Sequence, residues 1–93
     1  MAKEYLVTDV EAYRLSPCKI TSVTFLNSAA DAQGVNVSRS RLKSTDAEIT
    51  LKGSPGVTSQ FLFNGLVYPD GFTVFPTAAT VTDIIIEYED LNT

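Results

Sequence analysis

The segment spanning residues 61–74 constrains the fold of this chain most, because it combines two turn sequences with residues that favour β-strands. An Asn-Gly dipeptide suits a tight turn since both residues tolerate positive φ. A Pro-Asp-Gly tripeptide suits another, because proline presets φ and glycine relieves the steric clash. The segment is therefore predicted to be tightly folded antiparallel β structure. Its predicted structural turn residues are Asn64, Gly65, Asp70 and Gly71.

Short β-prone segments alternate with turn-forming residues along the rest of the chain. The clearest strand covers residues 18–27, and apolar side chains on both of its faces predict a central strand. Further strands are predicted over residues 34–42, 47–52, 57–63, 72–75 and 80–89. The pattern predicts an all-β protein, a compact antiparallel β-sandwich or jelly-roll-like domain of about seven to eight short strands.

The N-terminal segment fits two periodicities. Leu6, Val10 and Tyr13 have helical spacing, but alternate positions from Leu6 onward also form one face of a strand. We expect a strand within residues 4–16, because Tyr, Val and Thr favour strands. The chain of 93 residues is expected to form one domain, with residues 1–16 as an N-terminal arm or a peripheral strand.

The charge pattern argues against nucleic-acid and membrane partners. The net charge is −4, whereas binding to phosphates needs clustered basic residues. The only basic cluster is Arg39, Arg41 and Lys43, whose alternate spacing places them on one face of a strand, where they could contact an acidic partner surface. The longest apolar runs, such as residues 84–86, are only three residues long and far too short to span a bilayer.

The sequence contains no recognisable catalytic or cofactor motif. It has no histidine and one cysteine, so a zinc site is not expected, and we expect neither enzymatic activity nor a cofactor. Cys18 is expected to be buried and reduced, because it begins an apolar strand and has no partner for a disulfide. Glu87 and Glu89 share a strand face, and we expect a solvated strand edge there rather than the carboxylate pair of a glycosidase.

The aromatic residues divide into two predicted groups. Five phenylalanines and four tyrosines are present, and the phenylalanines between residues 61 and 75 follow strand periodicity, which favours the core. Tyrosines can keep their hydroxyl groups in water at an interface. The predicted surface or interface aromatics are Tyr5, Tyr13, Tyr68 and Tyr88.

From Lys19 onward the sequence resembles a group of small virion proteins of tailed bacteriophages. Four motifs carry the resemblance: Lys-Ile-Thr-Ser-Val-Thr-Phe-Leu-Asn-Ser-Ala-Ala at 19–30, Gly-Val-x-Val at 34–37, Thr-x-x-Phe-x-Phe-Asn-Gly-Leu-x-Tyr-x-x-Gly-Phe-x-Val at 58–74, and Ile-x-Ile-x-Tyr-Glu at 84–89. The resemblance implies a compact β-sandwich that decorates or locks phage particles, often as a trimer. It implies no catalytic residues.

The resulting expectation is a non-enzymatic virion protein at the capsid surface. It would be a cement or decoration protein that binds the major capsid protein or another virion protein, as a homotrimer. The alternative is a carbohydrate- or host-receptor-binding β-sandwich module of a phage tail or fibre. The residues expected at an interface are Arg39, Arg41, Lys43, Tyr5, Tyr13, Tyr88, Glu87 and Glu89, with the acidic end of one subunit facing the basic cluster of the next.

Overall fold

The computed structural model describes residues 3–39 and 49–91, which form eight strands and no helix. The strands are β1 (Lys3–Thr8), β2 (Ala12–Arg14), β3 (Cys18–Asn27), β4 (Gln33–Arg39), β5 (Ile49–Gly53), β6 (Val57–Tyr68), β7 (Phe72–Pro76) and β8 (Val81–Asp90). The predicted all-β class is confirmed. The strand predicted at 18–27 has the bounds of β3.

The strands form two four-stranded antiparallel sheets. Sheet 1 has the order β1-β8-β3-β6 and sheet 2 the order β2-β7-β4-β5. Successive strands lie in different sheets everywhere except from β4 to β5, so nearly every connection crosses the sandwich. The pairs β1–β8, β2–β7, β3–β6 and β4–β5 are those of a long hairpin folded over on itself, which is the arrangement of a jelly roll.

The core lies between the two sheets. Ile20, Val23 and Phe25 project from sheet 1, and Val35, Val37 and Val74 from sheet 2; all six are buried. Phe72 and Tyr88 meet edge to face with their ring centroids 5.7 Å apart. This edge-to-face contact has one of the preferred geometries of aromatic pairs.

A β-bulge in β3 changes which residues face the core. Ile20 pairs with Tyr88 and Ser22 with Glu87, so β3 advances two residues while β8 advances one. Side chains at 18 and 20 point inward before the bulge, and those at 23 and 25 point inward after it. Strict alternation along 18–27 was therefore the wrong pattern, because one extra residue inverts the faces of a strand.

The predicted turn at Asn64 and Gly65 is wrong. Both residues lie inside β6, which continues without reversal from Val57 to Tyr68. Opposite the β3 bulge, β6 advances from Leu62 to Leu66 while β3 advances from Ser22 to Ile20. Gly65 has a φ of 92°, so the positive φ that suggested a turn instead accommodates extra residues in a bulge.

The second predicted turn is confirmed. The Gly71 amide donates a hydrogen bond to the Tyr68 carbonyl oxygen at 3.2 Å, with Pro69 and Asp70 at the corner. Gly71 has a φ of 91°. The turn does not close a hairpin, because β6 belongs to sheet 1 and β7 to sheet 2.

The N-terminal segment forms two strands rather than the one predicted over residues 4–16. β1 pairs with β8 at the edge of sheet 1, and β2 pairs with β7 at the edge of sheet 2. Residues 9–11 connect them, and the Asp9 carboxylate accepts a hydrogen bond of 2.8 Å from the Asp83 amide. Asp83 has a φ of 53°, and it lies where β8 contains an extra residue relative to β3.

Candidate interaction surface

The outer face of sheet 1 is the surface of sheet 1 that points away from sheet 2. The strand register orders its side chains in rows that run across the sheet. The first row is Lys3, Glu89, Lys19 and Val67; the second is Tyr5, Glu87, Ser22 and Leu62; the third is Val7, Ile85, Thr24 and Gln60. Four strands at about 4.8 Å spacing make this face roughly 14 Å wide.

Charged side chains at one end of this face are paired within the chain. Lys3 Nζ lies 2.9 Å from Glu87 Oε1, and Lys19 Nζ lies 3.0 Å from Glu89 Oε2. The Thr21 hydroxyl also donates to Glu87 Oε1 at 2.8 Å. Hydrogen bonds from Lys3 and Thr21 lower the pKa of Glu87, and the bond to Glu87 raises the pKa of Lys3.

Large apolar side chains on the same face are exposed to solvent. Leu62 is 75% exposed, Val7 67%, and Tyr5 and Val67 58% each. Val7 lies beside Ile85, which is half-buried. The face therefore combines ion pairs, in which the two charges neutralise each other, with exposed apolar side chains whose burial is favourable. Such a surface suits docking against another protein.

The structure places two predicted interface tyrosines in the core, so that part of the prediction is wrong. Tyr88 and Tyr68 are both buried. The Tyr88 hydroxyl accepts a hydrogen bond of 2.8 Å from Arg14 Nε, and the Arg14 guanidinium carbon lies 5.7 Å from the centre of its ring. Arg14 thus supplies the polar partner that we had expected from solvent.

The other predicted interface residues are spread over the molecule. Tyr5 is exposed on sheet 1, while Tyr13 is exposed on the outer face of sheet 2, where it lies opposite Thr73. Arg39 is exposed at the end of β4. Arg41 and Lys43, the other two residues of the predicted basic cluster, lie outside the described residues.

Glu87 and Glu89 were predicted to form a solvated strand edge or to face the basic cluster of another subunit. The strand that carries them, β8, lies between β1 and β3 and is not an edge. Both carboxylates have lysine partners in the same chain. Their negative charges are therefore balanced by lysines of the same chain on the outer face of sheet 1.

Three exposed residues of this surface, Leu62, Val7 and Val67, were absent from the predicted interface. Leu62 shares a strand face with Thr58 and Gln60, so the alternation had indicated that it points outward. Val7 alternates with the buried Leu6. The sequence signal that could have identified such residues is an apolar side chain on the strand face that alternation assigns to solvent.

Cys18 is buried, as predicted. Its thiol donates a hydrogen bond of 3.1 Å to the Ser16 carbonyl oxygen, and burial raises its pKa. Within residues 3–39 and 49–91, no three acidic, histidine or cysteine side chains come together as a metal-binding group. In the same ranges, no helix is long and apolar enough to cross a membrane.

Comparisons with known proteins return no relative. No protein-family model, curated protein or solved structure matches the chain.

Proposed function

We propose that this chain is a non-enzymatic virion structural protein, a cement or decoration protein that stabilises a phage head by binding its shell of major capsid protein. The observation that carries the proposal is the outer face of sheet 1, with its exposed apolar side chains and internally paired charges. The sequence resemblance to small virion proteins supports it. The jelly-roll arrangement adds support by analogy alone, since viral capsid domains and lectins share it.

In this proposal the outer face of sheet 1 is the docking face, and it binds the shell through apolar contacts. Covering Leu62 and Val7 removes their exposed surface from water, which contributes about 1.5 kcal/mol or more for each side chain. The lysine and glutamate side chains at the end of the face already neutralise one another. A partner therefore needs no matching charges there, and these exposed pairs contribute little to the strength of docking.

The proposed assembly on the shell is a homotrimer. One small subunit offers few contacts, and three linked subunits multiply weak contacts through their effective concentration. A ring of three identical subunits also closes upon itself, which limits the growth of open arrays. The mass of the protein in solution tests this part independently of shell binding.

The test uses phage heads that lack the chain, to which the purified protein is added back. We expect added protein to sediment with the heads and to raise the temperature at which they release DNA. Replacing Val7 and Leu62 together with serine is expected to weaken binding roughly a hundredfold, since about 3 kcal/mol of apolar burial is lost.

The matched control replaces Val10 and Leu15 with serine. These residues are 66% and 54% exposed but lie in the connections around β2, outside the outer face of sheet 1. This control is expected to bind heads like the unmodified protein. Equal binding by both double variants would refute the docking face, and absence of any binding to heads would refute the cement function.

The alternative function is recognition of carbohydrate or a host receptor. Exposed aromatic rings can stack on sugars, but Tyr5 and Tyr13 lie on different sheets and point to opposite sides of the sandwich. They do not form one stacking platform. Binding of the isolated protein to a glycan array, combined with no effect on heads, would favour this alternative.

A further inference from the structure

The free edge of β6 differs from the other sheet edges in having no charged side chain. The four edge strands of the two sheets are β1, β6, β2 and β5. β1 contains Lys3 and Glu4, β2 contains Arg14, and β5 contains Lys52. The twelve residues of β6, by contrast, include neither a charged residue nor proline.

This edge is also long and exposed. Among the described residues β6 pairs with β3 alone, which leaves its other side without a strand. Before the bulge that contains Gly65, the register from Val57 to Leu62 runs without interruption. Proteins usually protect such an edge with charges or proline, because its free amide and carbonyl groups are a template for another strand.

We propose that the free edge of β6 pairs antiparallel with β6 of a second copy of this chain, with the two Gln60 side chains facing each other across a two-fold axis. The pairing would join two four-stranded sheets into one. A two-fold contact is compatible with the proposed three-fold ring, because assemblies that contain both kinds of axis are common.

The composition of β6 fits a second copy in particular. Around a two-fold axis each central residue faces its own equivalent, so any charge there would face a like charge and oppose pairing. Gln60 is exposed and uncharged, and two side-chain amides can exchange hydrogen bonds. Away from the axis, Thr58 faces Leu62 and Ser59 faces Phe61, so that a small side chain meets a large one on each face.

The contact is expected to be weak. Pairing seven residues of a strand edge covers less surface than the approximately 1,200 Å² of a standard interface. Association must therefore be measured by sedimentation up to about 1 mM, the weak end of the usual affinity range. We expect an even number of subunits at high concentration, dimers or, with the three-fold ring, hexamers.

Introducing a charge at the two-fold axis provides the decisive test. Gln60→Lys and Gln60→Glu should each halve the mass at high concentration, because like charges then face each other. Mixing the two variants should restore the original mass, because a lysine then faces a glutamate. Val10→Lys places the same charge at an exposed position in the connection between β1 and β2, away from β6, and is expected to leave the mass unchanged.

Amide hydrogen exchange of the unmodified protein tests the same contact without a substitution. Alternate amides of residues 57–63 should exchange more slowly as concentration rises, while those of β1 should not change. An odd-numbered or monomeric state at every concentration, or a mass that Gln60→Lys leaves unchanged, would overturn the proposal. The shell-binding test measures sedimentation with heads, whereas this test measures the mass of the protein in solution, so either proposal can fail without the other.

Discussion

Replacing Gly71 with alanine is expected to be among the most destabilising single-methyl additions to this fold. A Cβ atom at this position would lie 2.0 Å from the Arg14 carbonyl oxygen and 2.8 Å from the Leu15 Cα. Both contacts are with backbone, which cannot rotate away as a side chain can. The φ of 91° adds strain of its own, because L-residues rarely adopt it.

Gly56 provides a matched control for the backbone strain. It also has a positive φ, 75°, but a Cβ added there would meet no atom of the described residues within 4 Å. Gly56→Ala is therefore expected to cost about 1–2 kcal/mol, the penalty of a left-handed conformation. Gly71→Ala must in addition displace the backbone of the β2–β3 connection, which costs about 1–3 kcal/mol by analogy with overpacked cores. Its total cost in free energy of unfolding is therefore about 2–5 kcal/mol.

The difference between the two variants should be large on the scale of this domain. A chain of 93 residues has a free energy of unfolding of about 5–14 kcal/mol, and each kcal/mol changes Tm by about 4–8 °C. Thermal unfolding followed by far-UV circular dichroism should show Gly71→Ala melting well below Gly56→Ala. Urea unfolding with an unchanged m-value would assign the loss to the native state. Equal Tm values for the two variants would refute the close approach of β2 and the turn.

Two further predictions concern hydrogen-bonded side chains. Because the pKa of Glu87 is lowered in the folded state, its interactions stabilise the fold fully above the ordinary glutamate pKa of about 4.3. This stabilisation is lost as pH falls through the folded-state pKa. Lys3→Met should raise the pKa of Glu87 in an NMR titration, and an unchanged pKa would contradict the pairing. Tyr88→Phe removes the hydroxyl that accepts a hydrogen bond from Arg14 but keeps the ring. The free energy of unfolding should therefore fall by about 1 kcal/mol, and Tm by about 4–8 °C. If Tyr88 served only an interface, the Tm of the isolated subunit would not change.

Local sequence patterns were sufficient for the fold class and for most strands. Residues 18–27 contain an uninterrupted run of strand-forming residues without glycine or proline, and Pro69 to Gly71 carry their own turn signal. These features depend on neighbouring residues only. β3 does lie inside sheet 1, between β8 and β6, but its bulge puts Cys18, Ile20, Val23 and Phe25 on one face, so the reason given for its central position was wrong.

Features that depend on distant parts of the chain could not be predicted. The Asn64-Gly65 pair has the composition of a hairpin turn, and only the β3 strand beside it shows that Gly65 serves a bulge. Tyr88 is buried because Arg14, far away in sequence, supplies the hydrogen bond that solvent would otherwise provide. In each case a tertiary contact decides between two conformations that the local sequence allows equally.

The proposed docking face depends on the two ends of the chain meeting. Tyr5 and Val7 belong to β1, and the residues beside them, Glu87 and Ile85, belong to β8. Closing a loop of this length has an entropic cost that only the completed sandwich repays. A chain that has not paired β1 with β8 would therefore lack half of the apolar surface and the Lys3–Glu87 ion pair. Docking through this face would thus select completely folded subunits, because half of its exposed apolar surface exists only when β1 has paired with β8 and completed the fold.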